Sequence, residues 1–283
     1  MKSLCKYDMM KNLSTYSRSA TVPVICLFLA LFAQSCDEFE YSPYEVRLEE
    51  DEKAINTRNI ARIEALGISP EDTLRFVLTA DLQGFYEENE AMAKHIRENQ
   101  DSDFVLVGGD LTDFGLTKEF KLIHEDFRTI GVPYVAVIGN HDAVNNGHEA
   151  FLAMYGVFDT SFAVGNSKFI LLNTNYIEFG KRVPDLDWLE KELKAAAGYE
   201  NVFVLSHIPP QNYEFGEEKS GRYYQLISDY DVTYSLHGHN HSFDLYFPYD
   251  KKVPYVQTGA AEDREYIVFT VVGDDVSFER VMF

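Results

Sequence analysis

Two packed sheets with helices on their outer faces is the fold class this sequence predicts, and three observations predict it. From residue 74 onward, short apolar runs alternate with segments of helical periodicity. After a last helical segment near 221–229 only strand-like runs follow. Alternating units followed by a run of strands suit two sheets packed face to face with helices outside. The third observation is size: 283 residues, 46% of them hydrophobic, can bury a substantial core, and we read one domain.

In chain order, Ile60, Ile63 and Leu66 sit at helical spacing before Gly67 and Pro70, which predicts a short helix packed on the domain. Then come a strand at 74–80, a helix near 87–98, a strand at 103–108, a helix near 117–129 with Phe120, Ile123 and Phe127 on one face, and a strand at 132–138. Phe162 to Val164 and Phe169 to Leu172 flank Gly165-Asn166 and read as a hairpin. Asp185 is placed to cap a helix carrying Leu186, Leu189 and Leu193 and ending at Gly198. The runs 202–205 and 232–236 read as strands, as do 243–247, 253–257, 266–272 and 276–283.

Five of these strands end in polar residues: Asp81-Leu82-Gln83, Gly108-Gly109-Asp110 with Asp113, Gly139-Asn140-His141-Asp142, Ser206-His207, and His237-Gly238-His239-Asn240-His241. In open α/β sheets, ligands bind at the carboxyl ends of the strands. Asn140 offers a neutral oxygen, His141 a group that holds or gives a proton near neutral pH, and Asp142 a carboxylate able to orient an imidazole. His239 and His241 alternate by two, so they share one side of a continuing strand or converge on a turn. Taken singly, each has a plain structural explanation, since a lone aspartate after a strand usually caps a helix. Five such ends together point to one site.

These blocks, in this order over residues 72–245, resemble the successive motifs of the calcineurin-like metallophosphoesterases. The resemblance implies an αββα sandwich of two mixed sheets and metal-dependent hydrolysis of a phosphate ester, monoester or diester. It implies two divalent ions, Mn, Fe or Zn. Asp81, Asp110 and His241 would hold the first ion, and Asn140, His207 and His239 the second, with Asp110 bridging. A hydroxide between the ions would attack phosphorus, and His141, oriented by Asp142, would protonate the leaving oxygen or stabilise charge on the phosphoryl group.

The sequence departs from the family pattern at Gln83, where the family usually has a histidine on the first metal. Glutamine ligates only through its carbonyl oxygen, a harder and weaker donor than imidazole, so the first site is expected to be weaker or to favour Mn or Fe over Zn. Asp113 is expected to be structural or to orient a ligand. His237, His95, His124 and His148 fall outside the motifs. The segment Gln211 to Tyr223 reads either as a rim loop whose Tyr213 and Arg222 contact the ester or as a solvated loop. The competing reading is a non-catalytic metal-binding or interaction module on the same fold. The His141-Asp142 pair argues for an enzyme, because a scaffold needs no acid beside a leaving group.

Lys2, Lys6, Lys11 and Arg18 precede the apolar stretch Val22 to Ala33, which has the length of a signal-peptide core and is too short to span a membrane as a helix. Ala33-Gln34-Ser35-Cys36 resembles a loose bacterial lipobox, and Asp37-Glu38-Phe39-Glu40 resembles an export signal of surface lipoproteins. The expected organisation is a removed leader over 1–35, an acidic tether over 36–56 and the phosphoesterase domain over 57–283. A lipid on Cys36 would anchor the protein to the outer membrane of the cell envelope, facing the periplasm or the exterior. A plain secretory signal with an incidental cysteine is the alternative. Cys5, Cys26 and Cys36 are the three cysteines, so the body of the protein can form no internal disulfide. A net charge of −21 argues against a broad basic face for nucleic acid, so phosphate must be attracted locally, as bound cations would do.

Overall fold

The computed structural model describes residues 42–99, 101–248 and 251–283, so the apolar stretch 22–33 and Cys36 lie outside the described residues. The first half contains α1 (Ile55–Glu64), β1 (Leu74–Thr79), α2 (Tyr86–Asn99), β2 (Phe104–Val107), α3 (Thr117–Phe127), β3 (Tyr134–Ala136) and α4 (Gly147–Met154). The second contains β4 (Thr160–Val164), β5 (Ser167–Leu172), α5 (Leu186–Ala195), β6 (Asn201–Ser206), α6 (Glu217–Asp229) and β7 (Tyr234–His237). Four strands close the chain: β8 (Asp244–Tyr246), β9 (Tyr255–Gln257), β10 (Glu265–Val272) and β11 (Asp275–Met282).

One sheet has the order β11-β10-β1-β2-β3 and the other β4-β5-β6-β7-β9-β8. Both are mixed. β1, β2 and β3 run parallel, as do β5, β6, β7 and β9, while β10, β11, β4 and β8 pair antiparallel. Parallel strands covered on both faces read as unbroken apolar runs, and β2 and β6 are buried at every position. Between the sheets, Phe76 stacks on Phe104 at 5.5 Å and meets Phe169 and Phe203 of the facing sheet edge-on at 5.2 Å. On the outer faces, Met92, Ile96, Phe120 and Ile123 cover Val77 and Val105, while Leu189, Leu193 and Ile227 cover Ile170 and Val204. The result is the expected αββα sandwich.

Three expectations need correction. The packed unit begins at Pro43 rather than at residue 57: Val46 and Leu48 lie on the core and Glu52 pairs with Lys121 at 2.9 Å. The second part of the acidic segment is therefore an arm laid on the domain. Strand β3 is three residues long, yet its edge is not bare. Asn56 exchanges two hydrogen bonds with Ala136, and Asn59 donates to the Tyr134 carbonyl at 2.7 Å, so α1 supplies the ladder bonds a further strand would have made. Helix α4 follows directly on the central motif, where no helix was expected. Among the described residues no helix is long and apolar enough to cross a membrane.

Candidate metal centre

The chain leaves β1, β2, β6 and β7, and the end of β3, at one edge of the sandwich, and the polar strand ends meet there. Four of the residues are held in the left-handed region: Asp81 (φ 54°), Asp110 (φ 52°), His239 (φ 78°) and His241 (φ 52°). Such backbone costs roughly 1–3 kcal/mol per non-glycine residue and persists only where the surroundings over-determine it. Two glycines make room for the crowding. A Cβ at Gly139 would lie 2.1 Å from Asp110 Oδ1, and at Gly109 (φ +95°) 2.7 Å from His207 Nδ1.

Two groups of side chains result. In the first, Gln83 Nε2 lies 3.2 Å from His241 Nε2, which is 3.6 Å from Asp81 Oδ1. In the second, Asn140 Oδ1 is 3.0 Å from both His207 Nε2 and His239 Nδ1, and Asp110 Oδ2 is 3.1 Å from His207 Nε2. Asp81, Asp110 and His207 offer ligand atoms within 4.8 Å of one another, which joins the groups. All seven candidate ligands are thus brought together.

The donor set fits divalent metal. His207 Nδ1 donates to the Gly108 carbonyl at 2.8 Å, which leaves the Nε2 of a neutral ring as a lone pair aimed at two oxygens. Gln83 Oε1 is buried with no hydrogen-bond partner among the described residues. Asp81, Asp110 and Asp142 are all buried, and no described lysine or arginine pairs with them. Burial, then the neighbouring Asp110 and Asp142, push Asp81 up to about 8 against the pull of His207 and the His239 N–H. Burial opposes a charge on His207, but Asp110 and Asp81 outweigh it and lift the ring to about 9. The negative potential that draws a proton onto His207 draws a cation equally well.

His141 and Asp142 are not bonded to each other, as the expected pair would be. Asp142 is buried, and its carboxylate accepts from the Thr112 N–H at 2.8 Å, the Thr112 hydroxyl at 2.9 Å and the Gly139 N–H at 2.9 Å. It ties the loop after β2 to the loop after β3 and does not bond the imidazole. His141 is instead oriented by backbone: its N–H donates to Asp110 Oδ1 at 2.9 Å and its Nδ1 meets the Asp113 carbonyl at 3.2 Å. Asp113 thus acts through its main chain.

Glu214 reaches the centre from outside the sequence motifs. It sits in the 3-10 turn Tyr213–Phe215, and its Oε2 lies 3.2 Å from His239 Nε2. Nothing in the chain's local pattern marks it. Arg222 is not at the centre: it pairs with Asp187 at 2.6 Å and Glu190 at 3.0 Å on α5. Tyr213 is 77% exposed, and its hydroxyl donates to Glu214 at 2.7 Å. His237 is buried between the Ser206 and Ser235 hydroxyls at 3.1 and 2.8 Å, and burial pulls it down to about 3. His95 and His124 bond the Tyr266 and Tyr134 hydroxyls, and His148 packs on Phe179.

A family model described as calcineurin-like phosphoesterase matches residues 74–243. The chain is 28% identical over 149 residues to a probable glycerophosphodiester phosphodiesterase of Arcobacter nitrofigilis, covering 44% of this chain and 54% of that one. It is also 28% identical over 130 residues to a 3′,5′-cyclic-nucleotide phosphodiesterase of a Nostoc species, covering 42% and 46%. The chain thus spans about half the length of these relatives. Two solved structures share the fold. A purple acid phosphatase from yellow lupin has a TM-score of 0.63 at 15% identity over 76% of this chain and 52% of its own. A dimetal phosphatase from Danio rerio has a TM-score of 0.62 at 14% identity over 73% and 95%. With the family model spanning more than half of its length, the chain belongs to the calcineurin-like phosphoesterases.

Proposed function

We propose that this protein hydrolyses a phosphate diester at a centre of two divalent ions, Mn, Fe or Zn. The observation that carries the reading is the convergence of seven metal-donor side chains beside a histidine whose second nitrogen no described protein group bonds. Asp81, Gln83 and His241 would hold one ion, Asn140, His207 and His239 the other, with Asp110 between them. Bound divalent ions supply Lewis acidity, lowering the pKa of water and withdrawing charge from phosphoryl oxygens.

His141 does the proton chemistry. Its Nδ1 is committed to the Asp113 carbonyl, so Nε2 is the atom that gives a proton to the departing ester oxygen or donates to a phosphoryl oxygen. Its backbone N–H bond to Asp110 fixes the residue beside the carboxylate that would lie between the ions. Asp142 contributes rigidity where the loops meet. Charge supports a diester over a monoester: no described lysine or arginine pairs with the centre, while Glu214 and Glu262 lie against its histidines. A singly charged ester suits that surrounding better than a doubly charged one. Both relatives are named phosphodiesterases, which supports the same choice. The leader pattern over residues 1–36 supports an envelope location with a lipid on Cys36.

The test is hydrolysis of bis-p-nitrophenyl phosphate and p-nitrophenyl phosphate by metal-stripped protein resupplied with Mn, Fe, Zn or Mg. Turnover should return with metal and favour the diester. His141→Ala should retain both ions and lose on the order of 100-fold or more in kcat. Two bound ions without turnover of either ester would move the protein to the metal-binding module.

A further inference from the structure

We propose that Glu214 is a positioning residue for the second ion: its carboxylate takes the Nε2–H of His239 and so presents the Nδ1 lone pair to the metal beside Asn140. The proposal rests on the centre described above and adds an outer residue to it. An imidazole binds metal through one nitrogen, and the hydrogen bond made by the other decides which nitrogen that is. His239 has Asn140 Oδ1 at 3.0 Å from Nδ1 and Glu214 Oε2 at 3.2 Å from Nε2. Its backbone N–H is already bound to both Asp81 oxygens, at 3.1 and 2.9 Å, which fixes the main chain that carries the ring.

The glutamate is itself fixed. Asn212 Oδ1 accepts from the Glu214 N–H at 3.0 Å, and the Tyr213 hydroxyl donates to Oε1 at 2.7 Å, which leaves Oε2 for the histidine. The turn ends at Gly216 (φ +93°), where a Cβ would lie 2.8 Å from the Tyr176 ring, so Tyr176 clamps the turn from behind. Side-chain exposures of 12% for His239 and 22% for Glu214 shield the pair from water. A nearby carboxylate provides the control. Glu178 interacts electrostatically with Glu214 and His207 and makes no bond to His239.

The experiment is a Co2+ titration of the metal-stripped full chain, followed by calorimetry and by visible absorption of the bound ion. The wild type should take up two ions. Glu214→Ala should weaken one of them about 10–100-fold and alter its absorption, as expected for loss of an outer partner, and leave the other unchanged. Glu214→Gln, which keeps an acceptor, should restore most of the affinity, and Glu178→Gln should leave both steps unchanged. In a His239→Ala background Glu214→Ala should have no further effect. Wild-type affinity and spectrum in a folded Glu214→Ala overturn the proposal, as does an equal loss in Glu178→Gln, which would make the effect one of charge alone. If the wild type does not bind two ions, the reading of the centre itself fails and the proposal with it.

Discussion

Asp110, Asn140, His207 and His239 approach one another at 3.0–3.1 Å, whereas His241 stands 3.2 Å from Gln83 and 3.6 Å from Asp81. The two halves differ in support as much as in spacing. In the tighter half the far nitrogen of His207 is bonded to the Gly108 carbonyl at 2.8 Å, and that of His239 has the Glu214 carboxylate at 3.2 Å. Among the described residues, the far nitrogen of His241, Nδ1, has only Glu262 at 3.8 Å, beyond a hydrogen bond, and the side chain is 37% exposed. A ligand without an outer partner must be ordered by the metal itself, and that ordering cost weakens binding. On the proposed two-ion reading, one ion would meet a preformed cage and the other a side that it must help to assemble.

The largest effect is expected where the halves join. Asp110→Asn keeps the shape but removes the charge that both proposed ions would share, and both should bind more than about 100-fold more weakly, beyond the loss typical of an outer partner. Metal content per chain, by elemental analysis after dialysis, should fall for both ions together. Retention of one ion at full affinity would mean that Asp110 serves one half alone, and the shared bridge would be abandoned.

The joined architecture was legible because its strands are buried on both faces. Continuous apolar runs such as Phe104–Val107 stop abruptly at polar residues, and each stop marks a strand end at the same edge of the sandwich. What sequence did not show was direction. Asp142 follows His141, and adjacency suggested that one orients the other, yet on this turn the carboxylate faces inward to Thr112 and Gly139. Glu214 was invisible for a related reason, because its contact with His239 arises only when the turn after β6 folds over the end of β7. Helix α4 was hidden by Asn145-Asn146-Gly147, which reads as a turn, while the arm at Val46 and Leu48 was hidden by its acidic neighbours.

The next effect separates structure from chemistry in the tighter half. Asp142→Asn can still accept from Thr112 through one oxygen, but its amide nitrogen then faces the Gly139 N–H, donor against donor. The unmet buried group should cost about 1–3 kcal/mol, visible as a lower unfolding midpoint in urea of the stripped protein. Among molecules that remain folded and loaded, kcat should stay within about threefold of wild type, since the imidazole takes its orientation from Asp113. A large fall in kcat with unchanged stability would reverse this assignment and return Asp142 to the role its place in the sequence suggested.

The smallest effect addresses the looser half alone. Gln83 is 4% exposed and its amide nitrogen lies 3.2 Å from His241 Nε2, so the side chain is buried and already stands at the centre. Gln83→His replaces a neutral carbonyl donor with an imidazole, which binds late first-row metals more strongly. The first ion should bind about tenfold more tightly, roughly 1.4 kcal/mol, with Zn gaining more than Mn. Stepwise removal with a chelator checks it. In the wild type one ion should leave well before the other, and in the variant the two steps should draw together. If they do not, the looseness lies in the unsupported ring of His241, and the glutamine is a neutral choice. Supporting that ring would then be the way to equalise the halves.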